Sequence, residues 1–250
     1  MVRALALLAL LAAIAAAPPS AAGSDARRAV EAFLARLAGT PLVDLAIHQT
    51  VTLFHPDGRH PQSSGEQRLL IKLPRRQRLE QTIEGQREVR LSLGGRVWIR
   101  RPDGATYEAP AGEGDRTHLL TAFDRSAADL LAEWKSFGVR DDVTHVIRVR
   151  GRPVTVIGAG PGDRNSPAVW LDEEYGVVRV VTHERLPQAR TLVDLALSEH
   201  RPLPGGFYYP HRQELFSDGR MLLRITVQSV SVNSNLPEAL FDPEALRQGR

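Results

Sequence analysis

The chain has 250 residues, no cysteine and a formal charge of +3. Without cysteine there are no disulfides, thiolate metal sites, thiol nucleophiles or lipid-bearing cysteine, so an exported form must be held by its core alone. The basic residues are almost all arginine, with Lys72 and Lys135 the only lysines, and acidic residues are interleaved with them. That mixed surface is not the basic stripe of a nucleic-acid protein, although it leaves a weak attraction to anionic lipid head groups.

Arg3 is the only charge in the first 24 residues, and Ala4 to Ala17 is an unbroken apolar run ended by Pro18, Pro19 and Ser20. With Ser20-Ala21-Ala22 as a small-residue cleavage site, residues 1–22 read as a secretory signal peptide. The run is shorter than the ~20 residues of a spanning helix, so cleavage is expected rather than permanent anchoring. The expected product, residues 23–250, is one domain, exported to the periplasm, soluble and not lipidated.

The first mature element is an amphipathic helix over residues 24–38, capped by Ser24 and ended by Gly39 and Pro41, with Ala26, Val30, Phe33 and Leu37 at helical spacing. The period then changes to two. Strands are predicted at 45–54, 67–73, 77–83, 87–93 and 96–101, separated by turn signals such as Glu84-Gly85 and Gly94-Gly95. A helical stretch follows over 117–137, broken at Asp124-Arg125-Ser126 with Ser126 capping its second part. Further strands are predicted at 143–149, 153–158, 167–172, 176–185, 190–200, 207–216 and 220–232, then a short helix or extended tail over 237–246. The sum, 11 or 12 antiparallel strands with few helices, is a mainly β fold.

Few residues are arranged for chemistry. Gly158-Ala159-Gly160-Pro161-Gly162-Asp163 resembles a phosphate-cradling loop, but the next residues read as a strand instead of the required helix, so it is a hairpin turn. His55 and His60 bracket a turn without metal-ligand spacing, and the acidic groups Asp141-Asp142 and Asp172-Glu173-Glu174 sit at predicted strand ends without a full set of oxygen ligands. No serine has a nucleophile-elbow context. No enzymatic activity, cofactor or metal is expected. A long meander covered by two helices encloses a large inner surface, which side chains or a ligand could fill.

Three passages resemble the LolA/LolB-like superfamily of outer-membrane lipoprotein-sorting proteins. They are Val154 to Asp163 leading into Val169-Trp170-Leu171-Asp172; Phe207-Tyr208-Tyr209-Pro210 with Phe216-Ser217-Asp218-Gly219-Arg220; and Val227 to Asn233 with Leu236-Pro237 and Leu240-Phe241. The opening helix, Leu73-Pro74-Arg75 and Gly95-Arg96-Val97-Trp98 fit the same plan. The resemblance implies an unclosed antiparallel β-barrel with a helical lid over a hydrophobic cavity for acyl chains. It implies a monomeric, non-enzymatic carrier of lipid or lipoprotein between an inner-membrane donor and an outer-membrane acceptor. The alternative is a sensor or docking module on the same scaffold, as in the regulator RseB. The family's arginine on an early strand, which bonds the lid, has no counterpart in 45–54, leaving Arg68 or Arg78 for that place. By strand parity the expected lining is Leu69, Ile71, Leu91, Val97, Ile99, Val178, Val180, Ile225 and Val227 from the sheet, with Phe123, Leu130, Leu131 and Trp134 from the lid.

Overall fold

Strands of alternating polarity must bury one face, and this chain does so by laying thirteen of them into one antiparallel sheet. The computed structural model describes residues 21–39, 41–110, 125–186 and 189–249. The first half comprises α1 (Ala21–Leu37), β1 (Asp44–Phe54), β2 (Pro61–Lys72), β3 (Arg76–Ile83), β4 (Gln86–Leu93), β5 (Arg96–Arg100) and β6 (Thr106–Pro110). After α2 (Ala127–Ser136) come β7 (Thr144–Val149), β8 (Arg152–Ile157), β9 (Ala168–Asp172), β10 (Gly176–Leu186), β11 (Ala189–Pro202), β12 (Tyr208–Ser217) and β13 (Arg220–Val232). A 3₁₀ turn (Glu238–Phe241) and α3 (Pro243–Arg247) follow.

The strand order is β6-β5-β4-β3-β2-β1-β13-β12-β11-β10-β9-β8-β7. The chain winds outward from β1 to one edge, crosses through α2 to the other, and winds back until β13 pairs with β1. The edges β6 and β7 do not pair with each other, so this is an unclosed β-barrel. Residues 1–20 lie outside the described residues, as does the 117–124 part of the expected lid.

Helices α1 and α2 lie on the inner face. Val30 and Phe33 of α1 and Leu130 and Trp134 of α2 share one cluster with Ile157, Val169, Leu171, Val180, Leu195 and Leu197 of the sheet. The Phe33 ring sits against Gly176, where an added Cβ would come within 2.7 Å of it, and φ there is +81°. Only glycine meets both demands without strain. Ser126 caps α2 as expected: its Oγ accepts from the Asp129 backbone N–H while the Asp129 carboxylate accepts from that of Ser126. Helix α1 begins at Ala21, ahead of the start expected at Ser24.

The outer face of β1–β5 is covered by the chain's own C-terminal segment. Leu236, Phe241 and Leu246 pack against Ala46, Leu70, Val89, Leu91 and Trp98. Polar bonds register the segment. The Asp44 carboxylate, 1% exposed, accepts from the backbone N–H of Ser234 at 2.7 Å and of Leu236 at 3.0 Å. Lys72 donates to the Leu236 carbonyl at 2.8 Å and pairs with Glu238, which also pairs with Arg76. Arg78 donates to the Leu240 carbonyl at 3.1 Å.

Two expectations are thereby corrected. Leu91 does not line the inner face; the alternation in β4 is as expected, but its apolar side turns outward to meet this segment. Arg78 bonds the C-terminal segment on the outer face, and Arg68, in cross-strand register with His48 and Glu80, projects from the same face. Replacing Asp44 with Ala removes two charge-assisted bonds and strands the buried N–H of Leu236. The expected loss is about 2–3 kcal/mol of stability in urea unfolding at pH 7; a loss under about 0.5 kcal/mol would show that the clamp contributes little.

Candidate functional site

The inner face is apolar over most of its width. Leu45 and Ile47 of β1, Leu69 and Ile71 of β2, Phe207 and Tyr209 near β12, and Val227 of β13 form one buried cluster. Leu37 of α1 packs against both this cluster and the helix-covered one, which makes the wall continuous.

Of the residues expected to line it, Leu69, Ile71 and Val227 belong to the β1–β2–β12–β13 cluster, with Ile225 half-buried beside it. Val180, Leu130 and Trp134 belong to the helix-covered cluster, with Leu131 packed against it. Val97 and Ile99 share this face through the cross-strand rows Ile71–Gln77–Ser92–Val97 and Leu69–Leu79–Arg90–Ile99, and remain half-buried. Phe123 lies outside the described residues.

Val178 is on the wrong face. The register of β10 against β9 slips between Val177 and Arg179, so Val177 and Val180 point inward while Val178 packs outward with Val181 and Trp170. A bulge of one residue inverts the parity of everything beyond it. A second slip, between His48 and Gln49 on the β1–β13 pair, has the opposite effect on the forecast: it carries the inward parity of β13 from Val230 and Val232 to Ile225 and Val227.

A row of polar side chains crosses this apolar wall. Gln49 Nε2 donates to Gln67 Oε1 at 2.9 Å, Gln67 Nε2 to Gln81 Oε1 at 3.0 Å, and Gln81 Nε2 to Glu88 Oε1 at 3.2 Å. Arg90 Nε anchors the end, donating to Glu88 at 2.6 Å. The carboxylate of Glu88 accepts from Gln81, so each amide upstream is oriented to donate toward it. The relay ends with Gln49 Oε1, buried and without a hydrogen-bond partner among the described residues.

Two strands away at the same level, His211 Nδ1 donates to the Val227 carbonyl at 3.1 Å, and its Nε2 is likewise buried and unpartnered. Burial pulls the His211 pKa down, keeping the ring neutral near pH 7. Tyr209, on the same face of β12, is fully enclosed; burial pushes its phenol pKa up, and Gln213 interacts with the hydroxyl without forming a well-made bond. Sequence parity could have found this row, since Gln49, Gln67 and Gln81 alternate in phase with Leu45, Leu69 and Leu79.

The outer face of β8–β12 has a different character. Arg152 binds Asp172 bidentately at 2.8 and 2.9 Å, reaches Glu174 at 2.6 Å, and lies 4.1 Å over the Tyr175 ring, which stacks on His200 at 4.8 Å. The expected acidic group at 172–174 is thus largely spent on Arg152. A shallow pocket of about 670 Å³ opens nearby, lined by residues including Arg164, Arg179, His183 and Asp194. Arg179 is committed there, bidentate to Asp194 at 2.8 and 2.7 Å and 4.7 Å above Trp170. His60 pairs with Asp57 within its own turn. The glycine loop is a turn between β8 and β9, with Asp163 accepting from the N–H groups of Asn165 and Ser166.

Burial lowers the His200 pKa to about 4, against an opposing pull from Asp172. The unfolded chain, with a histidine pKa near 6.5, binds more protons than the folded one between these values. The stability contributed by neutral His200 is therefore complete above about pH 6.5 and lost as pH falls toward about 4. Urea midpoints measured across this window should fall, and His200→Phe, which keeps a ring against Tyr175, should flatten the slope. An unchanged slope in that variant would assign the effect elsewhere.

No family model matches the chain, and no curated protein sequence matches it. Solved structures do. A domain named for outer membrane lipoprotein sorting, from Vibrio parahaemolyticus, superposes with a TM-score of 0.57 at 13% identity, covering 90% of this chain and 99% of that one. A DUF1329 family protein from Desulfovibrio piger gives 0.56 at 13% identity, covering 92% and 100%. A LolA superfamily protein from Nitrosomonas europaea gives 0.52 at 11% identity, covering 85% and 97%. The unclosed, helix-lined β-barrel of this chain is therefore the fold of the LolA-superfamily and lipoprotein-sorting domains.

Proposed function

We propose that the protein is a periplasmic carrier that takes acyl chains of a lipid or lipoprotein onto the inner face of its sheet and moves them between membranes. The observation that carries this reading is the continuous apolar inner wall, part of which is only half-buried: Leu79, Val97, Ile99 and Ile225 all keep some exposure. Apolar surface enclosed by a curved sheet and still partly wet is suited to a mobile apolar ligand. The likeness in fold to lipoprotein-sorting domains supports the same reading.

Energetics set the task. Each CH₂ withdrawn from water is worth about 0.8 kcal/mol, so a single saturated chain of the usual membrane length costs on the order of 10 kcal/mol to expose. A wall of Leu, Ile and Val offsets most of that during transit. The helices α1 and α2, packed together on the β7–β9 part of the wall, are the elements whose displacement would admit and release cargo. None of the described helices is long and apolar enough to cross a membrane. Donor and acceptor proteins in the inner and outer membranes, and action as a monomer, complete the proposal.

Ile225→Asp tests the location. A carboxylate in the half-buried part of the wall should weaken binding of a long-chain fatty acid at least about tenfold, since an uncompensated charge opposes apolar burial. Far-UV circular dichroism should stay unchanged. Undiminished binding in a folded variant would place the ligand elsewhere.

A further inference from the structure

Where β12, β13 and β1 form the inner wall, three buried polar groups are left unused by its own hydrogen bonds among the described residues. Gln49 Oε1, His211 Nε2 and the Tyr209 hydroxyl have no well-formed partner among the described residues, and the three residues are 3%, 5% and 2% exposed. Such groups cost about 1–3 kcal/mol each when left unsatisfied, so three on one patch of an otherwise apolar wall form a feature that invites a ligand.

The register places them together. His211 lies across β13 from Val227, whose carbonyl its Nδ1 binds, and Gln49 faces Val227 from β1. Tyr209 is two residues from His211 on the same face of β12. Val51, Ile225 and Leu197 surround them on this face.

Their chemistry is also set. Val227 offers a carbonyl, so His211 Nδ1 carries the ring proton and Nε2 presents a lone pair. Gln49 spends its amide N–H on Gln67, under the orientation imposed by Glu88, and so presents its oxygen. Two acceptors flank Val227, with a phenol beside them that can donate. The complement is a small neutral group that both donates and accepts, which describes a hydroxyl. A carboxylate or phosphate would face two lone pairs, and a plain methylene would leave all three groups unsatisfied.

We propose that this patch seats a hydroxyl group carried within the ligand's apolar part, so that the protein prefers hydroxylated acyl chains to plain chains of equal length. This rests on the carrier reading and refines it. The test is displacement of a hydrophobic fluorophore, anilinonaphthalene sulfonate, from the full-length mature protein by tetradecanoic acid and by its 2-, 3- and 12-hydroxy derivatives. At least one hydroxy acid should bind about five- to tenfold tighter than the parent, the gain of one or two buried hydrogen bonds.

His211→Asn keeps a donor for the Val227 carbonyl while removing the distal acceptor. It should bring that ratio to within about twofold. Tyr209→Phe, which deletes a single oxygen, should lower the ratio in the same direction and decides the matter if His211→Asn does not fold. Equal affinities for all four acids in the wild type overturn the proposal, as does a preference untouched in both folded variants. Failure of every acid to displace the dye overturns the carrier reading itself.

Discussion

The pairing of β1 with β13 is the constraint on which the rest of the molecule depends. Without it the two meanders, β1 to β6 and β7 to β13, would be separate sheets with no shared inner wall. All eleven residues of β1 pair with β2, nine of them (Leu45 to Leu53) pair with β13 as well, and Asp44 at its start fixes the C-terminal segment against the outer face. One strand therefore joins the halves, sets the inward parity of Leu45, Ile47, Gln49 and Val51, and holds the cover that makes the outer surface of β2–β5 a buried layer.

From that arrangement follows a division of labour between the two faces. The outer face is locked by bonds internal to the chain: Asp44, Lys72 and Arg78 on the C-terminal segment, and Arg152 and Arg179 on their carboxylates. The inner face has few such locks. Its apolar residues are partly wet and its central polar row ends in unused acceptors. Unpartnered buried atoms occur on both faces, His200 Nε2 on the outer one among them; what sets the inner face apart is that three of them gather around Val227 on a partly wet apolar wall.

Much of the fold is readable in the sequence because period-two alternation is strong in most strands. The expected 77–83 and 87–93 became Arg76–Ile83 and Gln86–Leu93. What escaped did so for identifiable reasons. The Pro61–Glu66 part of β2 is polar and carries Gly65, packed within 2.2 Å of the Thr82 carbonyl for an added Cβ, so it has no apolar signature. β6, with Tyr107 as its single large apolar residue, was absent from the forecast for the same reason. Val178 was misassigned because a bulge is invisible to parity, and Leu91 because the cover for its face is supplied by Leu236 to Leu246, far along the chain. The inward phase of the three glutamines is legible in the alternation with leucines, but their hydrogen-bonded row exists only once the strands lie side by side.

The central claim is that the inner wall holds an apolar ligand in the cell. It is tested most directly by purifying the mature protein from its native compartment without detergent, extracting it with organic solvent and analysing the extract by mass spectrometry. A carrier should yield close to one equivalent of a lipid or acylated peptide per chain, absent from an Ile225→Asp preparation. An extract free of lipid, from protein that also takes up none when it is offered, would contradict the claim and mean that the wall is a closed core.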